Sequence, residues 1–475
     1  MLFDDWRKQS PNALLMKNFK YVLALTGLMA IILPQTANAQ VTASPATPDV
    51  PATTPNSAKP ENSFFKDRKF YLNEDGSNFI KLTFMTQAWL RAADYNPGTT
   101  INGMAKSSGT DIGIRRYRVQ LYGQLTDRVF TYAQFGENNF NNIADRKMGF
   151  FVHDAYGEYA IDKTRFSLGM GISGWQGLSR FTASSVGNMM GIDLPLYQET
   201  TNDVTDQFGR KLSIFAKGKL GKLDYRVAMA QPMAIQKSAG YNPANGIGSN
   251  SSFSARPPKM QYHAYVMYQF KDQESNMMPY NAGTYLGKKN VFNVGVGAIY
   301  QKDAMWRLGG ANDTISSNML HLSADVYYDA PIGAKGQAIS LYGSVAHYDY
   351  GKNYIRNSGP MNPANGSNDP TILNGGGTAF PMFGTGTVAY MQAGYKLKDN
   401  LIGTTTLMPY VSMQYGDYER LNDAMTYYDA GVNWLLAGQT SKFTLAYQNR
   451  PVFNTIGNTI DRKGAVVVQY QVFFN

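Results

Sequence analysis

Arg116 and Arg118 stand two residues apart in the stretch Ile114 to Phe135, IRRYRVQLYGQLTDRVFTYAQF. An extended backbone puts both guanidinium groups on one face, about 7 Å apart along the strand. Two fixed cations at that spacing in a wet constriction replace part of an anion's hydration without trapping it, which is the chemistry of an anion pathway. Lys211, Lys217 and Arg226 fall on the corresponding face of two later stretches and are further candidate lining cations. For each cation the alternative is a structural ion pair with an inward carboxylate, and Asp154 and Glu158 are the nearest candidates.

Other chemistries find less support. Asp154 and Glu158 on a strand would lie about 13 Å apart, beyond the roughly 5–9.5 Å that paired glycosidase carboxylates use. The four histidines, His153, His263, His321 and His347, are scattered without metal-ligand spacing or cysteine partners, so no metal site and no cofactor is expected. Gly169, Gly171 and Gly174 match a GxGxxG literally, but they end a strand-like run and open no helix. No GxSxG elbow occurs. A hydrolase would need Ser or Asp with His on neighbouring lip positions, which the linear pattern does not supply, so no catalytic residue is named.

The elements that would position these residues are strands. Tyr117, Val119, Leu121 and Leu125 alternate with Arg116, Arg118, Gln120, Tyr122 and Gln124, giving one oily and one polar face. The Thr126-Asp127 link then allows a tight hairpin. The same alternation and the intervening turn residues predict sixteen strands: 79–93, 111–125, 128–138, 149–160, 165–173, 207–218, 222–231, 259–271, 289–301, 317–329, 336–350, 384–398, 406–419, 425–437, 440–450 and 463–474. Even-to-odd links are brief, whereas odd-to-even links such as 94–110, 174–206, 232–258, 302–316 and 351–383 are long. That sorting fits an all-β transmembrane antiparallel barrel with short periplasmic turns and longer external loops. Two links misfit: 272–288 is long for an inside turn, and 420–424 is short for an outside loop. Tyr348, Tyr350, Tyr415 and Tyr418, near strand ends, are expected in interfacial girdles.

Composition agrees with one large domain. Of 475 residues, 32 are Tyr, 25 Phe and 46 Gly, charged residues make up 16%, and cysteine is absent, so no disulfide holds the fold. Lys17 and Lys20 precede an apolar run, Tyr21 to Leu33, and Ala37-Asn38-Ala39 supplies a small-x-small cleavage site. Residues 1–39 therefore read as a cleaved signal peptide, with Met1 or Met16 as the start of translation. Residues 40–78 form a Pro/Thr/Ala-rich periplasmic leader, and 79–475 the barrel. The formal charge of +10 falls to +8 without the signal, which favours small anions and anionic lipopolysaccharide as partners and, outside the cytoplasm, no nucleic acid.

The segments Arg115-Arg116-Tyr117-Arg118 with Val119 to Leu125, Asp154-Ala155-Tyr156, and Gly177-Leu178-Ser179-Arg180 with Thr182 to Ser185 resemble the phosphate-selective porin O and P family in its Bacteroidetes-type form. They cover the first half of the barrel; the second half agrees in strand pattern and length, and the last strand resembles the terminal strand of outer-membrane barrels, with Asn475 in place of a final Phe. The resemblance implies a water-filled, homotrimeric pore in the outer membrane of a Gram-negative bacterium, with the third external loop, roughly 174–206, folded inward. It adds Arg180, on that loop, to Arg116 and Arg118 as selectivity residues, with phosphate as the anion to test. The function expected is passive diffusion of small hydrophilic solutes with a preference for anions and no enzymatic activity. The alternatives are a surface-binding or structural barrel with a plugged lumen and, last, an outer-membrane hydrolase.

Overall fold

The computed structural model describes residues 65–66, 68–144, 149–199, 209–232, 247–310 and 313–474. The expected signal peptide and most of the leader lie outside the described residues. Sixteen long strands follow one another: β1 (Phe79–Asp94), β2 (Ser108–Gln124), β3 (Val129–Phe140), β4 (Phe151–Asp162), β5 (Phe166–Ser173), β6 (Lys211–Leu220), β7 (Leu223–Gln231) and β8 (Gln261–Gln269). The second half comprises β9 (Val291–Leu308), β10 (Thr314–Ile332), β11 (Gln337–Asp349), β12 (Gly386–Lys396), β13 (Thr406–Tyr418), β14 (Met425–Leu435), β15 (Ser441–Phe453) and β16 (Thr459–Phe474). Each of the sixteen expected strands has its counterpart.

Every strand pairs antiparallel with its chain neighbours, and β16 returns to β1 with Phe474 opposite Phe84 and Ala465 opposite Ala93. The barrel is closed. At the leader's end Lys69–Tyr71 pairs with the start of β1, Lys69 opposite Lys81.

Alternation carries the two solvents. Met170, Val296, Val345, Met391 and Val411 are each more than half exposed on the outside, while Gln87, Asn293, His321, Asn433, Thr444 and Gln469 are buried on the inside. An apolar exterior around a polar interior inverts the arrangement of a water-soluble sandwich and fits strands whose outer solvent is hydrocarbon.

Three local features depart from the sequence reading. Against β1, Gln87 pairs with Arg116 and Ala88 with Ile114, so Arg115 is the extra residue of a β-bulge. Strict alternation would send Arg115 outward; the bulge turns it in, and it is fully buried beside Arg116. The link expected at 302–316 shrinks to 309–313, because β9 and β10 run 18 and 19 residues and stay paired past a register shift at Gln301/Met305. Of the four girdle tyrosines only Tyr415 is exposed; Tyr348, Tyr350 and Tyr418 are buried inside, where an adjoining ring or loop backbone takes them up.

On this architecture Val345→Arg, with its charge on the outer face of β11, should lower the unfolding free energy in vesicles by roughly 2–4 kcal/mol. Val345→Leu should leave it unchanged. Denaturant titration of the two variants checks the assignment, and equal stability would reverse inside and outside.

Candidate functional site: the barrel lumen

The bore is occupied by three segments of the chain itself. The first leaves β5 at Gly174 and is described to Glu199. Trp175 stacks on Phe215 of β6 at 5.7 Å, and the Leu178 backbone lies against Gly297 on the inner face of β9. A Cβ at Gly297 would come within 2.2 Å of the Leu178 carbonyl oxygen, so only glycine admits the loop at this depth. From there the segment crosses the lumen. Gln87 of β1 and Gln471 of β16 donate to the Val186 and Gly187 carbonyls at 3.0 and 2.9 Å. Lys442 of β15 and Asn433 of β14 donate to the Met189 and Met190 carbonyls at 2.7 and 2.8 Å. A loop drawn out of water must have its backbone acceptors satisfied, and here wall side chains do it.

The second segment, 270–290, enters from the opposite end; it is the link that seemed too long for an inside turn. Lys217 of β6 donates to the Asn276 carbonyl at 2.7 Å, and Arg226 of β7 to that of Pro279 at 2.8 Å. Asn281 and Ala183–Ser185 exchange backbone hydrogen bonds, so the two segments meet inside the barrel. The third, 350–385, folds across the external mouth. Arg91 donates to the carbonyls of Pro360 and Met361 at 3.0 and 2.5 Å, and Arg450 reaches that of Gly377 at 3.2 Å.

The candidate residues are all inward and buried. Arg116 is ion-paired to Asp193 of the crossing loop at 2.6 Å, and Arg115 to the same carboxylate at 2.9 Å. Arg118 donates to the Tyr117 and Glu137 carbonyls, both at 2.8 Å, and to Asn138 at 2.5 Å. Arg180 grips Glu274 through two 2.6 Å hydrogen bonds and lies 3.6 Å from the Tyr327 ring centroid. Lys211 donates to Gln176 at 3.3 Å, Lys217 pairs with Glu158 at 2.8 Å, and Arg226 sits over Trp175 at 5.1 Å. Asp154 accepts from Tyr280 at 2.5 Å, with Arg210 3.6 Å away. Arg115 and Arg116 thus gather around Asp193, and Arg180, Lys217 and Arg226 around segment 270–290, while Arg118 and Lys211 stand apart from both.

Asp193, Arg91, Arg450 and Asp429 also face the interior and were missed. Arg91 and Arg450 do occupy inward positions of alternating strands, a signal that was present; a lone Asp on a loop offers none.

Among the described residues the interior keeps small spaces. Two adjoining cavities share Pro360, Phe380 and Tyr427 and are open to water over about 30 and about 20 Å³. A wider one, about 290 Å³, opens at the turn side between Arg128, Glu158, Lys217 and Asn276.

No family model and no curated protein matches the chain. Among solved structures it is similar to Salmonella typhi OmpF in complex with daunomycin at 11% identity (TM-score 0.47; 84% of this chain, 99% of that one). It is similar to the outer-membrane channel DcaP of Acinetobacter baumannii at 12% (TM-score 0.46; 84% and 99%) and to Pseudomonas putida OprB at 9% (TM-score 0.46; 83% and 94%). At such identities no function passes to this chain.

The joint between the two inner segments is testable. Burial alone would push the Glu274 carboxyl up, but the Arg180 guanidinium and the Tyr285 hydroxyl outweigh it and hold it below the usual carboxylate range. A carboxyl depressed in the folded state contributes stability that is complete above its unfolded value and is lost as pH falls through the folded one. Amide exchange over 174–199, corrected for intrinsic rate, should therefore accelerate on acidification below the usual carboxylate range. Glu274→Gln should produce the same loosening at neutral pH, since removing one partner of a buried pair costs roughly 3–5 kcal/mol. Unchanged protection in both experiments would contradict the joint.

Proposed function

We propose that the chain is an outer-membrane channel protein of a Gram-negative bacterium, a homotrimer through which small hydrophilic solutes diffuse passively with a preference for anions. The observation that carries this reading is a closed barrel, apolar outside and polar within, narrowed by its own third external loop against a wall bearing Arg115 and Arg116. Two cavities beside that loop, open over about 30 and about 20 Å³, favour small solutes. The path is diffusive, with no turnover step, no cofactor and no energy input.

The preference is modest. Among the described residues eleven basic and nine acidic side chains are buried, and Asp193 beside them brings the balance close to neutral. A residual charge of that size in a screened bore is worth roughly 0.5–1 kcal/mol, a few-fold in permeability. Phosphate is one anion to test.

The three inward segments also favour a second reading, a barrel whose lumen stays plugged while its external loops bind a partner. Liposome swelling with sugars of graded size separates the two, since a plugged barrel admits none.

In planar bilayers under a potassium chloride gradient the channel reading predicts ohmic steps and a reversal potential that corresponds to chloride permeating a few-fold better than potassium. Replacing Arg116 and Arg118 together by Ala should move that potential toward zero. Silent bilayers would sink the channel, and cation preference untouched by the double change would sink the anion claim.

A further inference from the structure

The turn-side cavity of about 290 Å³ is far larger than the two beside the third loop and takes no part in the constriction there. Register explains the space. At the rim the Ala160 N–H donates to the Arg128 carbonyl at 2.9 Å, Ala160 lies opposite Ser167, and Ser167 opposite Lys217. All four line the cavity. Two small side chains between two long ones hollow the wall. Segment 275–277 closes the opposite side, held there by Lys217 through the Asn276 and Met277 carbonyls at 2.7 and 3.2 Å. A space of about 290 Å³ stands at the lower end of ligand pockets, which run roughly 300–1,000 Å³, and suits a single sugar ring.

The polar groups differ in what they leave open. Lys217 gives its third N–H to Glu158 Oε2 at 2.8 Å and has none left, and Asp127 and Lys163 neutralise each other at the rim. Glu158 Oε1 and the Ser167 hydroxyl, on side chains more than nine-tenths buried, have no hydrogen-bond partner among the described residues. Arg128 is exposed at the rim and donates through Nη1 to the Ala160 and Ile161 carbonyls at 3.1 and 2.9 Å, so its Nε and Nη2 stay open to a ligand. Lys219 donates to a carbonyl, that of Glu274. The lining carries four cations against two carboxylates, a balance that favours an anion.

Neither a simple anion nor a neutral sugar uses all of this. An anion on Arg128 would leave Glu158 Oε1 without a donor, and a neutral sugar would leave the Arg128 fork without an acceptor. Arg128 precedes β3 by one residue, and Glu158 of β4 lies opposite Phe130, so the two are diagonal neighbours with Cβ atoms about 7–8 Å apart. With hydrogen bonds of about 2.8 Å at each end, that span fits a carboxylate and hydroxyls on opposite sides of one six-membered ring.

We propose that the turn-side cavity is a binding site for hexuronic acids, single sugars bearing one carboxylate. The carboxylate lies on Nε and Nη2 of Arg128, ring hydroxyls engage Glu158 Oε1 and Ser167, and Ala160 and Met277 meet the C–H face of the ring. The site deepens the channel reading and rests on it for its role, a recognition step for one class of small anion at the turn end of the path.

The test uses the full-length barrel in detergent, titrated calorimetrically with sodium glucuronate, with glucose and with sodium acetate. Glucuronate should bind at least tenfold more tightly than either of the others. Arg128→Gln should bring it down to the level of glucose, and Ser167→Leu, which fills the hollow, should abolish it. Heat-modified gel mobility shows which variants are folded barrels, and the exposed position of Arg128 keeps the first variant informative if the second does not fold. Absent glucuronate binding overturns the site. So does binding no tighter than that of acetate, which marks a plain cationic rim, or no tighter than that of glucose, or unaffected in the folded variants. Potassium chloride conductance is read separately, so silent bilayers count against the channel and a silent calorimeter against the sugar-acid site.

Discussion

The rest of the structure depends on one constraint: a backbone N–H or C=O withdrawn from water needs a partner. In the wall the requirement is met by closure. The seam from Phe84↔Phe474 to Ala93↔Ala465 leaves no strand edge facing hydrocarbon, where each unpaired group would cost several kcal/mol. In the bore it is met differently, since the crossing loop has no ladder of its own. Gln87, Gln471, Lys442 and Asn433 reach from the wall to four of its carbonyls, and Lys217 and Arg226 do the same for segment 270–290.

That division of labour changes what an inward cation means. Lys217, Arg226 and Lys442 hold backbone, whereas Arg115 and Arg116 hold a carboxylate on the loop they face. A basic bore is therefore partly scaffolding, and its net field is smaller than the roster of arginines suggests. Even so, the scaffolding places Asp193 against the arginines of β2 and narrows the passage there, so structural and selective roles fall on the same residues.

The strands were legible because a barrel wall between two solvents writes a period of two into nearly every segment, as in Phe166, Leu168 and Met170 against Ser167 and Gly169. The inward course of the third loop was legible only through resemblance. Its docking point was hidden in plain composition: Gly297 breaks the alternation of β9 where the Leu178 backbone presses against the wall. The inward facing of Arg115 was not legible, because a bulge shifts the pleat by one residue and leaves no mark in the sequence. Tyr348, Tyr350 and Tyr418 misled for a related reason, since an aromatic near a strand end suits an interfacial girdle and a filled lumen equally well. The pairing of Arg180 with Glu274 joins residues almost a hundred positions apart, on two links whose meeting depends on both entering the bore.

The central claim is that the third loop folds into the bore and reaches the wall of β16. Because the protein contains no cysteine, a disulfide between two introduced thiols reports that contact without background. At Gly187 a Cβ would lie 2.5 Å from the Phe473 ring, so Gly187→Cys with Phe473→Cys should cross-link under mild oxidation in the membrane-inserted barrel and give a product of altered gel mobility. If the folded double variant keeps both thiols free, the loop stands outside the lumen and the account fails.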